Sequence, residues 1–123
     1  MQDELTQEII GAAYRVHNTL GSGFLEKVYE NALRVELRDL GLAVKQQFPI
    51  SVFYKGFTVG QFIADLFVED QVILELKAVE TLIPFHYVQL VNYLNATQVE
   101  IGLLINFGES VQVKRRTRKF KYP

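Results

Sequence analysis

Between Glu4 and Leu20 apolar residues recur every three or four positions, with Leu5, Ile9, Ala12, Ala13, Val16 and Leu20 forming one stripe. That spacing predicts an amphipathic helix. Gly21-Ser22-Gly23 ends it with residues that tolerate positive φ. A second helix is predicted from Leu25 to Leu40, with Val28, Ala32, Leu33, Val35 and Leu40 at helical spacing and Gly41 as its stop. From Val44 the period changes. QQFPISVFY, FTVGQFIADLFV and VILELKAV read as three strands, joined by Lys55-Gly56 and by Glu69-Asp70-Gln71. Pro49 places the first strand at an edge or on a bulge. VILELKAV is apolar on both faces apart from Glu75 and Lys77, the pattern of a central strand.

Phe85 to Ala96 returns to helical spacing, with Val88, Leu90, Val91 and Leu94 as its buried positions. IGLLINF is a fourth strand, and SVQVKRRTRKF alternates weakly enough to be a fifth. The order ααβββαβ(β) predicts an α/β fold, a sheet of four to five strands flanked by helices. Neither repeat nor low-complexity linker interrupts it, and 123 residues suit a single domain spanning residues 1–123.

Composition narrows the picture. Apolar residues make up 49% of the chain and charged residues 22%, the balance of a soluble globular protein. Cysteine is absent, which excludes disulfides and thiolate–metal sites. The N-terminus is acidic where a secretory signal would be basic, and its apolar runs fall short of the roughly 20 residues that cross a bilayer. A cytoplasmic protein with no membrane partner is expected. The net charge of −1 argues against coating nucleic acid by electrostatics alone. Yet six of the thirteen basic residues lie between Lys114 and Lys121, leaving an acidic remainder.

Candidate chemistry sits on the second and third strands. Glu75 and Lys77, two apart, share one face of their strand. Asp65 falls between Ile63 and Phe67 on the same face of its strand, and a hairpin turning at Asp70 sets it opposite Glu75. Directly opposed residues have Cβ atoms about 4.5–5.5 Å apart. Two carboxylates so close need a cation, and a hard divalent metal such as Mg²⁺ or Mn²⁺ provides one. Such a metal polarises a phosphodiester oxygen and acidifies water, while Lys77 orients that water or stabilises the developing charge. The competing interpretation is an ion cluster on a solvated sheet face, worth little in stability. Apolar neighbours on both sides of these charges count against it.

Ala64-Asp65 followed by Glu75-Leu-Lys77 on adjacent strands resembles the PD-(D/E)XK motif, with Ala64 where the superfamily carries proline. Gly23-Phe-Leu-Glu26-Lys-Val-Tyr29 matches the GxxExxY signature of a small family within that superfamily. YKG, ADLFVED, ILELKAVE, QLVNYLNAT and GLLINFG follow in the family's order, so the resemblance covers Glu4 to about Val113. It implies a restriction-endonuclease-like core with a mixed sheet, and Asp65, Glu75 and Lys77 at a metal-dependent nuclease centre.

The resemblance also implies secondary roles. Glu26 matches a helix glutamate that approaches the metal; the alternative is a first-turn glutamate that complements the helix dipole. His17 lies where RecB-type nucleases carry an additional metal ligand; the alternative is a histidine favoured at a helix C-terminus. His86 is a weaker candidate. Gln89 and Tyr93, four apart on one helix face, resemble the QxxxY element that contacts substrate phosphate; packing for Tyr93 and solvent for Gln89 form the alternative. Tyr29 reads as a packing residue with a bonded hydroxyl.

Lys114, Arg115, Arg116 and Arg118 belong to a basic strand or tail that either contacts phosphate, with Phe120 and Tyr122 stacking on bases, or protects a sheet edge. The expectation is therefore a metal-dependent nuclease acting on DNA rather than RNA, as a homodimer or with a partner protein. The alternative is a nuclease-fold nucleic-acid-binding or scaffold protein with little turnover.

Overall fold

The computed structural model describes residues 2–118, so the expectations for Phe120 and Tyr122 lie outside the described residues. Helix α1 (Gln2–Leu20) and helix α2 (Glu26–Asp39) precede strands β1 (Val44–Tyr54), β2 (Phe57–Val68) and β3 (Val72–Lys77). Helix α3 (Pro84–Thr97) crosses to β4 (Ile101–Phe107), and β5 (Val111–Thr117) follows. The five strands lie side by side in chain order. All neighbours are antiparallel except β3 and β4, which α3 connects in parallel. A crossover of this kind needs a helix-length connection, and α3 supplies it.

The sheet separates two cores. On one face Leu5, Ile9, Ala12, Ala13 and Val16 of α1 and Tyr29, Leu33 and Leu37 of α2 pack on Leu66, Val68, Leu74, Leu76, Leu103 and Ile105. On the other, Leu90, Tyr93 and Leu94 of α3 pack on Ile50, Ala64, Phe67, Ile73 and Leu104. Alternate residues of β3 and β4 serve the two sides, so the burial of both strands is nearly continuous. Gly102 lets α3 approach, since a Cβ there would lie 2.6 Å from Leu90 Cδ1.

Two helix faces differ from the pattern expected of them. α2 buries Tyr29, Glu30, Leu33 and Leu37, whereas Val28, Val35 and Leu40 are exposed. Tyr29 decides the rotation: its ring stacks on Phe107 at 4.8 Å, and its hydroxyl donates to Gly21 O and accepts from Phe24 N–H. On α3, Val88 is exposed and Tyr93 takes a place in the core. Pro49 does lie on an edge strand, and the β1–β2 register shifts at Val52/Phe53.

Candidate active site

The β2–β3 ladder runs through Val68↔Val72, Phe67↔Ile73 and Leu66↔Leu74 and then stops. One more step would set Asp65 against Glu75. Side chains take the place of the missing rung. Asp65 N–H donates to Glu75 Oε1 at 3.2 Å, and Leu76 N–H donates to Asp65 Oδ2 at 2.7 Å.

The break lies in β2 itself. Ala64 and Phe67 both belong to the core beneath α3, while Leu66 and Val68 belong to the core beneath α1 and α2. Regular alternation would give Ala64 and Leu66 the same side, so it loses a step at Asp65. The expectation that Ile63, Asp65 and Phe67 share one face therefore fails, and Ile63 is exposed while Phe67 is buried. On β1 the matching position, between Gln46↔Leu66 and Phe48↔Ala64, is Gln47. Its φ of 55° is a left-handed value that residues other than glycine seldom adopt. Gln46 and Gln47 consequently both reach Glu30 of α2.

Burial dominates the electrostatics of the carboxylates. It pushes Asp65 up to about 6, against the lowering effect of the Leu76 N–H and reinforced by the charges of Glu30 and Glu26. Burial followed by repulsion from Asp65 pushes Glu75 up to about 8. Burial thus favours the protonated form of both acids over that of an exposed carboxyl. Glu26, at the start of α2, is raised by burial and lowered by the Lys77 charge, which places it within reach of Lys77.

Lys77 itself makes neither a hydrogen bond nor an ion pair among the described residues, while its charge acts on Asp65, Glu75, Glu26 and His86. Its strand exit is fixed by Asn106 on β4. The Asn106 amide accepts from Val79 N–H and donates to Val79 O, each at 2.9 Å.

Tyr93 joins this group from α3. Burial, then Glu75 and Asp65, push its phenol up to about 12. Gln89 lines the adjoining groove with Tyr93. The ring of His86 accepts the Ile83 N–H at the head of α3. His17 Nε2 lies 2.8 Å from Gly108 O, and Gly108 lines a pocket together with Glu26.

The basic strand is largely engaged within the molecule. Arg115 pairs with Asp3 of α1, Arg118 with Glu100, and Arg116 lies over the Tyr87 ring of α3. Register with β4 carries these arginines toward the end of the sheet opposite Lys77, because Asn106 faces Gln112 while Gly102 faces Arg116.

Three residues of the site were missed by periodicity. Glu30 has a side chain 3% exposed and receives bonds from Lys27, Gln46 and Gln47. Its spacing of four from Glu26 was the available signal. Asn106, buried in an otherwise apolar strand, was visible as the single polar interruption of IGLLINF. Gln47 gave no signal of its backbone.

The family model described as the PD-(D/E)XK nuclease superfamily matches residues 3–120. No curated protein matches the chain by sequence. Among solved structures it is similar to the crystal structure of SSO0001, with a TM-score of 0.63 at 14% identity over 78% of this chain and 52% of that one. It is also similar to an alkaline exonuclease (LHK-Exo) from Laribacter hongkongensis, with a TM-score of 0.58 at 14% identity over 76% of this chain and 56% of that one. The chain thus spans little more than half the length of either structure, and the likeness is one of fold.

Proposed function

The chain belongs to the PD-(D/E)XK nuclease superfamily, and from that premise we propose that it is a metal-dependent nuclease hydrolysing phosphodiester bonds, in DNA rather than RNA. The observation that carries this reading is the Asp65–Glu75 pair, set where two strands part and raised in proton affinity by burial. A pair of buried carboxylates with raised proton affinity is poised to exchange its proton for a cation.

The donor set fits Mg²⁺ or Mn²⁺. Among the described residues no three His, Cys, Asp or Glu side chains converge as a metal cage. Two carboxylates with open positions suit an ion that keeps water and takes substrate phosphate as ligand. Asp65 and Glu75 would hold it, and Glu26 is the further carboxylate on that side. When bound, the ion supplies Lewis acidity toward a phosphate oxygen and lowers the pKa of a water.

The chain's own groups do the rest. The Lys77 ammonium, unpaired among the described residues and borne on a strand end whose following main chain Asn106 clamps, orients the attacking water and stabilises negative charge at phosphorus. Water oxygen bonds to phosphorus as the bond to the leaving oxygen breaks. Tyr93 stays protonated and offers an O–H donor toward the same space. Gln89, one turn away on α3, and Lys114 are the proposed substrate contacts.

The test is cleavage of plasmid and single-stranded DNA with Mg²⁺ or Mn²⁺, comparing wild type with Glu75→Ala and Lys77→Met. Cleavage lost in both variants supports the reading. Equal nicking by all three proteins, or none by wild type, makes the chain a nucleic-acid-binding or scaffold protein on a nuclease fold.

A further inference from the structure

Between the β1–β2 hairpin and α3 runs a groove of about 720 Å³, within the size range of ligand sites. Phe53, Phe62 and Phe85 line it and are 65%, 45% and 62% exposed. Gln89, Asn92 and Asn95 of α3 add carboxamides to the same lining, and none of its residues is charged. In a chain with 22% charged residues that neutrality is selective. It offers no counter-charge to a phosphate, and it suits a flat, neutral heterocycle with donors and acceptors along its edges. Tyr93 belongs both to this groove and to the surroundings of Glu75 and Asp65. Phe62 packs against the Tyr93 ring at 5.7 Å, so the aromatic lining runs on from the hairpin toward the carboxylates.

We propose that this groove seats unpaired nucleobases, so that the chain takes single-stranded nucleic acid or unpaired ends and leads the adjoining phosphate to the Asp65–Glu75 pair. The inference rests on the nuclease reading and narrows its substrate class. Bases in a duplex are already stacked on each other and paired along their edges. They reach side-chain rings only after leaving the helix. An unpaired strand presents its bases freely, and each ring on which one stacks adds sequence-tolerant affinity. Carboxamides can bond the base edges that pairing would otherwise occupy.

The experiment measures binding without turnover. Fluorescence anisotropy of a short labelled oligothymidylate, and of a duplex of equal length, is followed with Ca²⁺ in place of Mg²⁺. Phe53→Ala and Phe85→Ala should each weaken single-strand binding roughly ten-fold. Duplex binding and Mn²⁺ calorimetry should stay unchanged, and Phe85→Trp should restore the affinity. Equal loss for both nucleic acids, or no loss for either, overturns the assignment. So does a concentration-dependent dimer that Phe53→Ala dissociates without altering single-strand binding, because a second copy would then occupy the groove. A wild type that binds single strands through these rings yet cleaves nothing with Mg²⁺ refutes the catalytic reading alone and leaves the base seat standing.

Discussion

Asp65 offers its main-chain N–H to Oε1 of Glu75 at 3.2 Å, at the point where the ladder between their strands has ended. Both acids are raised by burial, to about 6 and about 8, from ordinary values of 3.8 and 4.5. A raised folded-state pKa contributes stability that is complete below the unfolded value and lost as pH climbs through the folded one. The metal-free protein should therefore melt at progressively lower temperature between about pH 5 and about pH 9. Saturating Mg²⁺ should flatten that slope, and Glu75→Gln should reduce it. Melting curves by circular dichroism decide the matter; a metal-free wild type that gains stability across this range would refute the electrostatic account.

Lys77 lies where its charge acts on three carboxylates without being bonded to any of them. A group free to act in the transition state should show itself in kcat. Lys77→Met keeps most of the stem's packing and is expected to lower kcat on the order of a hundred- to a thousand-fold, with Mn²⁺ and DNA affinities nearly intact. A variant that loses metal or DNA binding in proportion to its activity would mark Lys77 as a binding residue instead.

Asn106 satisfies both main-chain groups of Val79 from the neighbouring strand. Asn106→Leu fills similar space and strands those groups, at about 1–3 kcal/mol for each one left buried and unmet. The melting temperature should fall, and kcat should fall more than KM rises, because Lys77 precedes the released segment by two residues. Unaltered stability would mean that water replaces the clamp.

Arg115, Arg116 and Arg118 are tied to Asp3, Tyr87 and Glu100, whereas Lys114 has no ion pair among the described residues. Each phosphate contact contributes about 0.9 to the slope of log affinity against log salt on duplex DNA and about 0.7 on single strands. Lys114→Gln should reduce the slope by one such contact. Arg115→Gln should leave it unchanged and cost no more than about 1 kcal/mol of stability, since its ion pair is well exposed. A slope that falls instead with Arg115→Gln would return the strand to phosphate binding.

Much of this was readable from the chain, and the rest fails for identifiable reasons. β2 and β4 begin and end where period-two and apolar runs do, at Phe57–Val68 and Ile101–Phe107. The nearness of Asp65 to Glu75 followed from a tight turn and a counted register, though the ladder itself stops one step short of them. The inner face of α2 did not, because Val28 and Tyr29 compete for it and only the stacking of Tyr29 on Phe107 settles the rotation. The lost alternation at Asp65 was equally hidden. It coincides with a left-handed Gln47 at the matching position of the neighbouring strand, and glutamine carries no propensity for that conformation. Glu30 looked like one more helix charge until Gln46 and Gln47 converged on it.

The parallel join of β3 to β4 also ties the site to the order in which the chain assembles. β1, β2 and β3 are consecutive hairpins, so their contacts close short loops, whereas every β3–β4 pair spans the whole of α3. Loop-closure entropy makes such distant pairings the slower ones. The hairpin that brings the two acids together is therefore expected to form before α3 and β4 complete their burial. Because burial raises the proton affinity of both acids, refolding at neutral pH is expected to take up protons from the solvent, and to do so in its late phase, protons that an incoming cation would displace.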